Sequence, residues 1–257
     1  MTAPLLATRA LDVAIAGRTL VHGLDIEVKG GDTLAILGCN GSGKTTLLHT
    51  LAGLRPPSGG EVELCDKPYA AHGPRQAARL RGLLAQAQMD AFPASVLETA
   101  LIGRHPHLGR WAWEGAADER IAIEALAAVG LQNLESREVH TLSGGERQRL
   151  GIATLLTQMP LLYLLDEPLA HLDLAHQIAM LELAKRYTAD CHAAFVIVMH
   201  DMNLALRYCR RALLLFGDGR WLEGPSEEVL SAKNLSELYG QRIRELQDGN
   251  SRYFIAA

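Results

Sequence analysis

The stretch Gly38-Cys39-Asn40-Gly41-Ser42-Gly43-Lys44-Thr45 restricts the possible folds more than any other part of the chain. The apolar run Thr33-Leu34-Ala35-Ile36-Leu37 precedes it, and Thr46-Leu47-Leu48-His49-Thr50-Leu51-Ala52 follows. The pattern is strand, glycine-rich turn, helix, and it fits G-x-x-x-x-G-K-[ST], a phosphate-binding loop. Glycine lets successive backbone N–H groups curl around phosphate oxygens, and a helix N-terminus adds about half a positive charge. Lys44 supplies a mobile cation for β and γ phosphates, and Thr45 offers a hydroxyl to Mg²⁺.

Such a loop needs a sheet behind it, and 257 residues that are 48% apolar can bury one. The net charge of −4 provides no general field for nucleic acid. No apolar run approaches the ~18 residues of a membrane span. Met1 to Arg9 lacks a charged-then-apolar signal pattern, so a cytosolic location is expected. Cys39, Cys65, Cys191 and Cys209 are scattered without a C-x-x-C pair, which argues against a disulfide frame or zinc site.

In chain order, residues 5–30 read as a hairpin turning at Gly17-Arg18, with Leu11, Val13 and Ile15 alternating on one arm and Leu24, Ile26 and Val28 on the other. Residues 32–37 form the strand into the loop, and helix 44–52 stops at Gly53. A strand is predicted near 61–64, a helix over 74–81, and an apolar strand over 82–85 ending at Gln86. From about 88 to 158 the texture is helical, with one helix over 117–129 and another opening at Ser143-Gly144-Gly145-Glu146. Then come strand 161–165, helix 174–189, strand 194–199, helix 201–210, strands near 212–216 and 220–223, short helices near 226–230 and 235–239, and an edge strand over 252–255. Continuous apolar strands alternating with helices imply an α/β fold whose parallel sheet is covered on both faces. Ligands in such sheets sit beyond the carboxyl ends of strands, where Gly38, Gln86, Asp166 and His200 all stand.

Asp166, after the strand, is placed to hold Mg²⁺, and Glu167 to polarise an attacking water. The alternative is a pair of acids capping a loop before Pro168. Gln86 offers an oxygen to a metal or a water, and His200 a donor to a γ-phosphate; each has a plain structural alternative. Ser143 and Glu146 stand at capping-box spacing, and their helix tip either caps itself and nothing more or meets an anion held by another chain.

Together these segments resemble one family. Leu142-Ser143-Gly144-Gly145-Glu146-Arg147-Gln148 is similar to the signature of ATP-binding cassette (ABC) ATPases, Leu165-Asp166-Glu167-Pro168 to their Walker B segment, Leu172-Asp173 to their D-loop, and His200-Asp201 to their switch histidine. Order and separation fit over essentially the whole chain. Ile102-Gly103-Arg104-His105-Pro106-His107, the run from Glu167 to Gln177, the run from His200 to Ala205 and the tail Glu223 to Leu230 resemble ATPase subunits of importers for ferric siderophores, haem, vitamin B12 and some oxyanions.

The resemblance implies a P-loop NTPase parallel-sheet core with an antiparallel β subdomain (1–87 and 159–257) and a helical lobe (88–158). It implies that Gly38, Asn40, Gly41, Ser42, Gly43, Lys44 and Thr46 hold the phosphates of ATP, that Thr45 and Gln86 ligate Mg²⁺, and that Asp166 holds it through water. Glu167 would be the general base and His200 the γ-phosphate sensor. Ser143, Gly144 and Gly145 would contact the nucleotide of a second, head-to-tail copy, and Asp173 would touch that partner. The homodimer would dock peripherally on two permease subunits at the cytoplasmic face of the inner membrane, the lobe around Gln86 to Trp113 passing motion to them while a binding protein delivers the cargo. A soluble ATPase remodelling an assembly such as an iron–sulfur scaffold is the alternative; nucleic acid is not an expected partner.

Two departures stand out. Val13-Ala14-Ile15-Ala16 has no aromatic where the family stacks adenine, so poor discrimination between ATP and GTP is expected. Cys39 stands where the family often has Pro, and a thiol beside phosphate is expected to react with alkylating agents. His105, His107, His171 and His176 read as loop or interface residues rather than metal ligands, while Trp111 and Trp113 suit a permease contact or the lobe core equally.

Overall fold

The computed structural model describes residues 3–86, 93–109, 111–249 and 251–257. It begins with a hairpin, β1 (Leu6–Ile15) and β2 (Arg18–Leu24). The turn is Ala16-Gly17, one residue earlier than the sequence suggests. Both residues have positive φ, 48° and 80°, the sense that matches the twist of paired strands. The predicted second arm is divided, because β3 (Glu27–Val28) is a separate short strand pairing with the start of β1. β4 (Thr33–Gly38) feeds the glycine loop, α1 (Lys44–Leu51) leaves it, and β5 (Gly59–Leu64) and β6 (Lys67–Pro68) return to β1.

The second half of the fold starts with α2 (Pro74–Leu80) and β7 (Arg81–Leu84). Among the described residues the α-helices α3 (Val96–Leu101), α4 (Ala116–Ala128) and α5 (Gly144–Gln158) follow. The expected start of the helical stretch, near 88, lies outside the described residues. Then β8 (Leu162–Leu165), α6 (Leu174–Asp190), β9 (Ala194–Val198), α7 (Met202–Tyr208), β10 (Arg211–Leu215) and β11 (Trp221–Pro225) alternate. The chain ends with α8 (Ser226–Val229), α9 (Ala232–Tyr239), β12 (Ile243–Asp248) and β13 (Ser251–Ala256).

Among the described residues the central sheet has the order β11-β10-β4-β9-β8-β7. Its pairs from β10 to β7 are parallel, and β11 is antiparallel to β10. The period of two along each strand divides the core. Leu34, Ile36, Leu162, Leu164, Val196, Val198, Leu213 and Leu215 face α1 and the N-terminal antiparallel sheet. Ala35, Leu37, Tyr163, Leu165, Phe195, Ile197, Ala212 and Leu214 share the other core with α3 to α7. Both faces are buried, so the strands read as unbroken apolar runs rather than as alternation. Tyr163 and Phe195 stack with ring centroids 4.4 Å apart on adjacent strands of that second face.

The predicted edge strand at 252–255 is one arm of the hairpin β12–β13, and the sequence reading missed its partner. Asn203 fastens it to α7: its Nδ2 donates to the Phe254 carbonyl (3.1 Å), and its Oδ1 accepts from the Phe254 N–H (2.8 Å). Trp111 and Trp113 are 87% and 88% exposed, so neither is a core residue of the helical block. Among the described residues no helix is long and apolar enough to cross a membrane.

Candidate nucleotide site

β4 lies between β10 and β9, so its carboxyl end sits mid-sheet and the glycine loop opens where neighbouring strands also end. Gly41 and Gly43 have φ of 76° and 99°, left-handed values that a side chain resists. At Gly43 a Cβ would also come within 2.9 Å of Leu20. Gly43 is the N-cap of α1, and no side chain caps that first turn, so its N–H groups face the loop's interior ligand space. Lys44 is buried at 6% exposure, its Nζ donating to the carbonyls of Gly38 (2.9 Å) and Cys39 (3.1 Å). Burial pulls the Lys44 pKa down, opposed by Glu167, Cys39 and Asp166.

A cavity of about 790 Å³ opens beside the loop, lined by Asn40, Gly41, Gly43, Lys44, Thr45 and Thr46 from the loop and α1. Gln86, Glu167 and His200 line its far wall. Three strand ends therefore deliver three side chains to one crevice, as the positions after β7, β8 and β9 predict. Glu167 has φ 50°, a strained value for a residue with a side chain, and the turn it makes follows directly from β8. Its Oε1 lies 2.9 Å from His200 Nε2, and its Oε2 accepts from Gln86 Nε2 at 3.1 Å. The carboxylate is thus held from two sides with its face toward the loop's cavity.

Asp166 is fully buried, and neither Oδ has a hydrogen-bond partner among the described residues. Burial pushes its pKa up, and the neighbouring Thr45 hydroxyl pulls the other way. A fully buried carboxylate whose neighbouring donor is the Thr45 hydroxyl, beside a phosphate loop, suits a divalent cation: Thr45, Gln86 and Asp166 are hard oxygen donors of the type Mg²⁺ takes. We expect Asp166→Asn to raise the melting temperature of the metal-free protein. Removing a buried charge whose desolvation outweighs the pull of Thr45, His49 and Lys44 is worth on the order of 1 kcal/mol, about 2–4 °C at this size. Thermal unfolding in EDTA measures it, and a lower melting temperature for the variant would contradict the picture of a charge that burial disfavours.

Ser143, Gly144, Gly145 and Asp173 do not line the cavity. Ser143 makes the predicted capping box: its Oγ accepts from Glu146 N–H (3.2 Å), and Glu146 Oε2 accepts from Ser143 N–H (2.8 Å). Asp173 caps α6 and accepts from the N–H of His176 (2.9 Å), with the His176 ring 2.7 Å away. Those bonds hold the Asp173 pKa low. The first turn of α6 brings Asp173 and His176 together, and among the described residues no further ligand joins them as a metal group. Gly38 and Ser42 sit beneath the loop, where a Cβ on Gly38 would meet Ser42 Oγ at 2.5 Å. Cys39 is exposed, its Sγ donating to the Leu238 carbonyl of α9 at 3.1 Å.

Arg18 and Leu20 were not legible in the sequence, whereas Ile15 belongs to the stretch expected beside the base. Ile15, Arg18 and Leu20 line the outer end of the cavity, brought there by the first hairpin. Arg18 Nη2 donates to the Gly217 carbonyl at 2.7 Å, a tie across 199 positions of chain. Gln148 Nε2 donates to the Pro168 carbonyl at 3.1 Å, joining α5 to the turn that carries Glu167. No local pattern announces such contacts.

Residues 21–170 match the family model described as ABC transporter. The hemin import ATP-binding protein HmuV of Burkholderia pseudomallei is 38% identical over 257 aligned residues, covering 93% of this chain and 94% of that one. The protein of the same name from Myxococcus xanthus is 42% identical over 239 residues, covering 90% and 88%. Among solved structures, an inward-facing putative metal-chelate type ABC transporter superposes with a TM-score of 0.85 at 29% identity, covering 99% of this chain and 98% of that one. A dimeric ATP-binding cassette in a post-hydrolysis state, bound to ADP and Pi, gives 0.75 at 25% identity, covering 86% and 98%.

Proposed function

This chain belongs to the ABC transporter family as the ATP-hydrolysing subunit of an importer, and from that premise we propose that it powers uptake of hemin or a closely similar metal chelate. The reading of the cargo rests on one observation: relatives that share about the full length carry the hemin-import name. In this reading two copies pair head to tail and dock on two permease subunits at the cytoplasmic face of the membrane, with a separate binding protein bringing the cargo. The exposed Trp111 and Trp113 stand on the helical block, 88–158, that would face the permease.

The residues take these parts. The N–H groups of the loop from Gly38 to Thr46 and the Lys44 ammonium grip the β and γ phosphates. Thr45, Gln86 and Asp166 would hold Mg²⁺, which when bound neutralises phosphate charge. Glu167, fixed by Gln86 and His200, takes the proton of the attacking water. His200 donates to the γ-phosphate. Ser143 and the N–H groups of Gly144 and Gly145 close over the nucleotide held by the other copy.

Selectivity for the base follows from the outer wall. Ile15, Arg18 and Leu20 offer aliphatic surface and one guanidinium face, with no aromatic ring lining the cavity among the described residues. Neither packing mode distinguishes adenine from guanine by its edge. ATP and GTP are expected to be hydrolysed at comparable rates in a phosphate-release assay; a preference of about tenfold or more for ATP would refute this.

Purification of the membrane complex tests the function itself. The chain should co-purify with an apolar permease, and in proteoliposomes its ATP turnover should rise with hemin-loaded binding protein. A complex that ignores hemin but responds to another chelate removes the cargo and keeps the importer.

A further inference from the structure

The sheet gives little support to the turn that carries Glu167. The ladder from β7 reaches Asp166, whose N–H donates to the Leu84 carbonyl at 2.9 Å. Beyond it Glu167 stands at φ 50° and His171 at φ 63°, both left-handed values that strain a residue with a side chain. The turn closes on itself through the Ala170 N–H, which donates to the Glu167 carbonyl at 3.1 Å. Strained backbone persists only where its surroundings over-determine it. Gln86 and His200 are both exposed, and they grip the Glu167 carboxylate rather than its backbone.

The bracing comes from α5. Gln148 Nε2 donates to the Pro168 carbonyl at 3.1 Å and lies 3.5 Å from the Glu167 carbonyl. Pro168 is buried and Gln148 half-buried, so water competes little for this bond. α5 meets the same turn a second time near its tip, where a Cβ on Gly145 would come within 3.0 Å of the His171 carbonyl. From α6, Gln177 Nε2 donates to the carbonyls of Leu169 (3.3 Å) and Leu172 (3.1 Å). α5 is itself anchored, because Arg149 Nη1 donates to the Val129 and Gly130 carbonyls at the end of α4 (3.0 and 2.9 Å). Space-filling alone does not call for an amide at 148, since an unbranched apolar side chain would fill the same gap. The carbonyls of the turn do call for a donor.

We propose that Gln148 is a positioning residue for the general base, its side-chain amide fixing the Glu167–Pro168 backbone and so the place of the Glu167 carboxylate. Gln148 does not line the nucleotide cavity, and it acts through the turn. The proposal rests on the reading of Glu167 as the base. A reacting group displaced by about 1 Å loses on the order of 10²-fold in rate while the site goes on binding its ligand.

Gln148→Met removes the donor and keeps an unbranched side chain. In the full-length protein it should lower kcat about 10–10²-fold, with KM and MgATP affinity within about twofold of wild type. Gln148→Lys returns a donor to the carbonyls and should recover at least about half of the lost logarithm of kcat. A double-mutant cycle with Glu167→Gln, read by single-turnover phosphate release, separates positioning from a general loss of structure. Acting through Glu167, Gln148→Met should change the residual hydrolysis of Glu167→Gln by less than about twofold; acting on the fold or the nucleotide, the two losses multiply. Gln148→Leu replaces the methionine variant in the cycle if that variant does not fold. Wild-type kcat without the donor, no recovery with lysine, or losses that multiply would each overturn the proposal. Full turnover in Glu167→Gln alone would instead remove the base, and the proposal with it, and that failure shows without any change at Gln148.

Discussion

Replacing Glu167 by Gln is expected to leave MgATP binding within about twofold of wild type while lowering hydrolysis on the order of 10²–10⁴-fold, the usual worth of a positioned general base. The side chain is nearly isosteric, so the loop and the cavity keep their shape. Its two anchors are the reason the effect is specific. In the wild type one carboxylate oxygen meets His200 at 2.9 Å and the other accepts from Gln86 at 3.1 Å. The amide keeps one acceptor and turns the other into a donor, so it remains in place but cannot take a proton from water. Lys44 and the loop N–H groups are untouched, which is why binding survives. Single-turnover phosphate release beside a nucleotide-binding isotherm separates the two quantities. Turnover within about tenfold of wild type would remove Glu167 as the base.

The second large effect concerns where the nucleotide site is completed. Ser143, Gly144 and Gly145 do not line the cavity of their own chain, while their helix tip carries the N–H groups and the dipole that suit an anion. Ser143→Glu places a carboxylate at that tip and should abolish turnover by repelling the γ-phosphate, with nucleotide binding to the separate chain retained. Lys44→Ala should abolish turnover by removing the phosphate cation. Mixed together, the two dead variants are expected to recover activity. A pair formed from one of each has one site with an intact loop facing an intact serine–glycine tip. Random pairing predicts about a quarter of wild-type turnover if the two sites act independently. A site completed within one chain has no intact copy in any such pair. No recovery on mixing, with pairing verified by crosslinking, would therefore show that each chain builds its own site. The geometry supports sharing from another side. The Asp173 carboxylate beside that tip is engaged by His176 and exposed, so it is available at a surface rather than committed to the cavity.

Much of this site lies in short-range chemistry. A glycine loop between a buried strand and a helix has to put its N–H groups outward at the strand's end, and residues that follow apolar strands of one parallel sheet have to arrive at the same edge. Gly38, Gln86, Asp166, Glu167 and His200 were legible for that reason. The capping box at Ser143 was legible because both partners lie within one turn. What went unread is long-range or depends on partners far along the chain. β12 has polar, exposed positions through most of its length and becomes a strand only by pairing with β13. The hairpin turn moved to Ala16-Gly17 because strand twist selects positive φ at both positions, and alanine there gives no signal.

By itself, then, the order of residues determined the P-loop, the parallel sheet it requires and the set of side chains gathered at that sheet's edge, since these follow from strand and helix periodicity and from backbone N–H groups that need an anion. Only the tertiary structure decided that Glu167 is clamped between Gln86 and His200, that Asp166 is fully buried, that Arg18 reaches the outer wall, and that Ser143 is kept out of its own chain's cavity. Each of those depends on distances between atoms tens to hundreds of residues apart, which packing sets and no local pattern encodes.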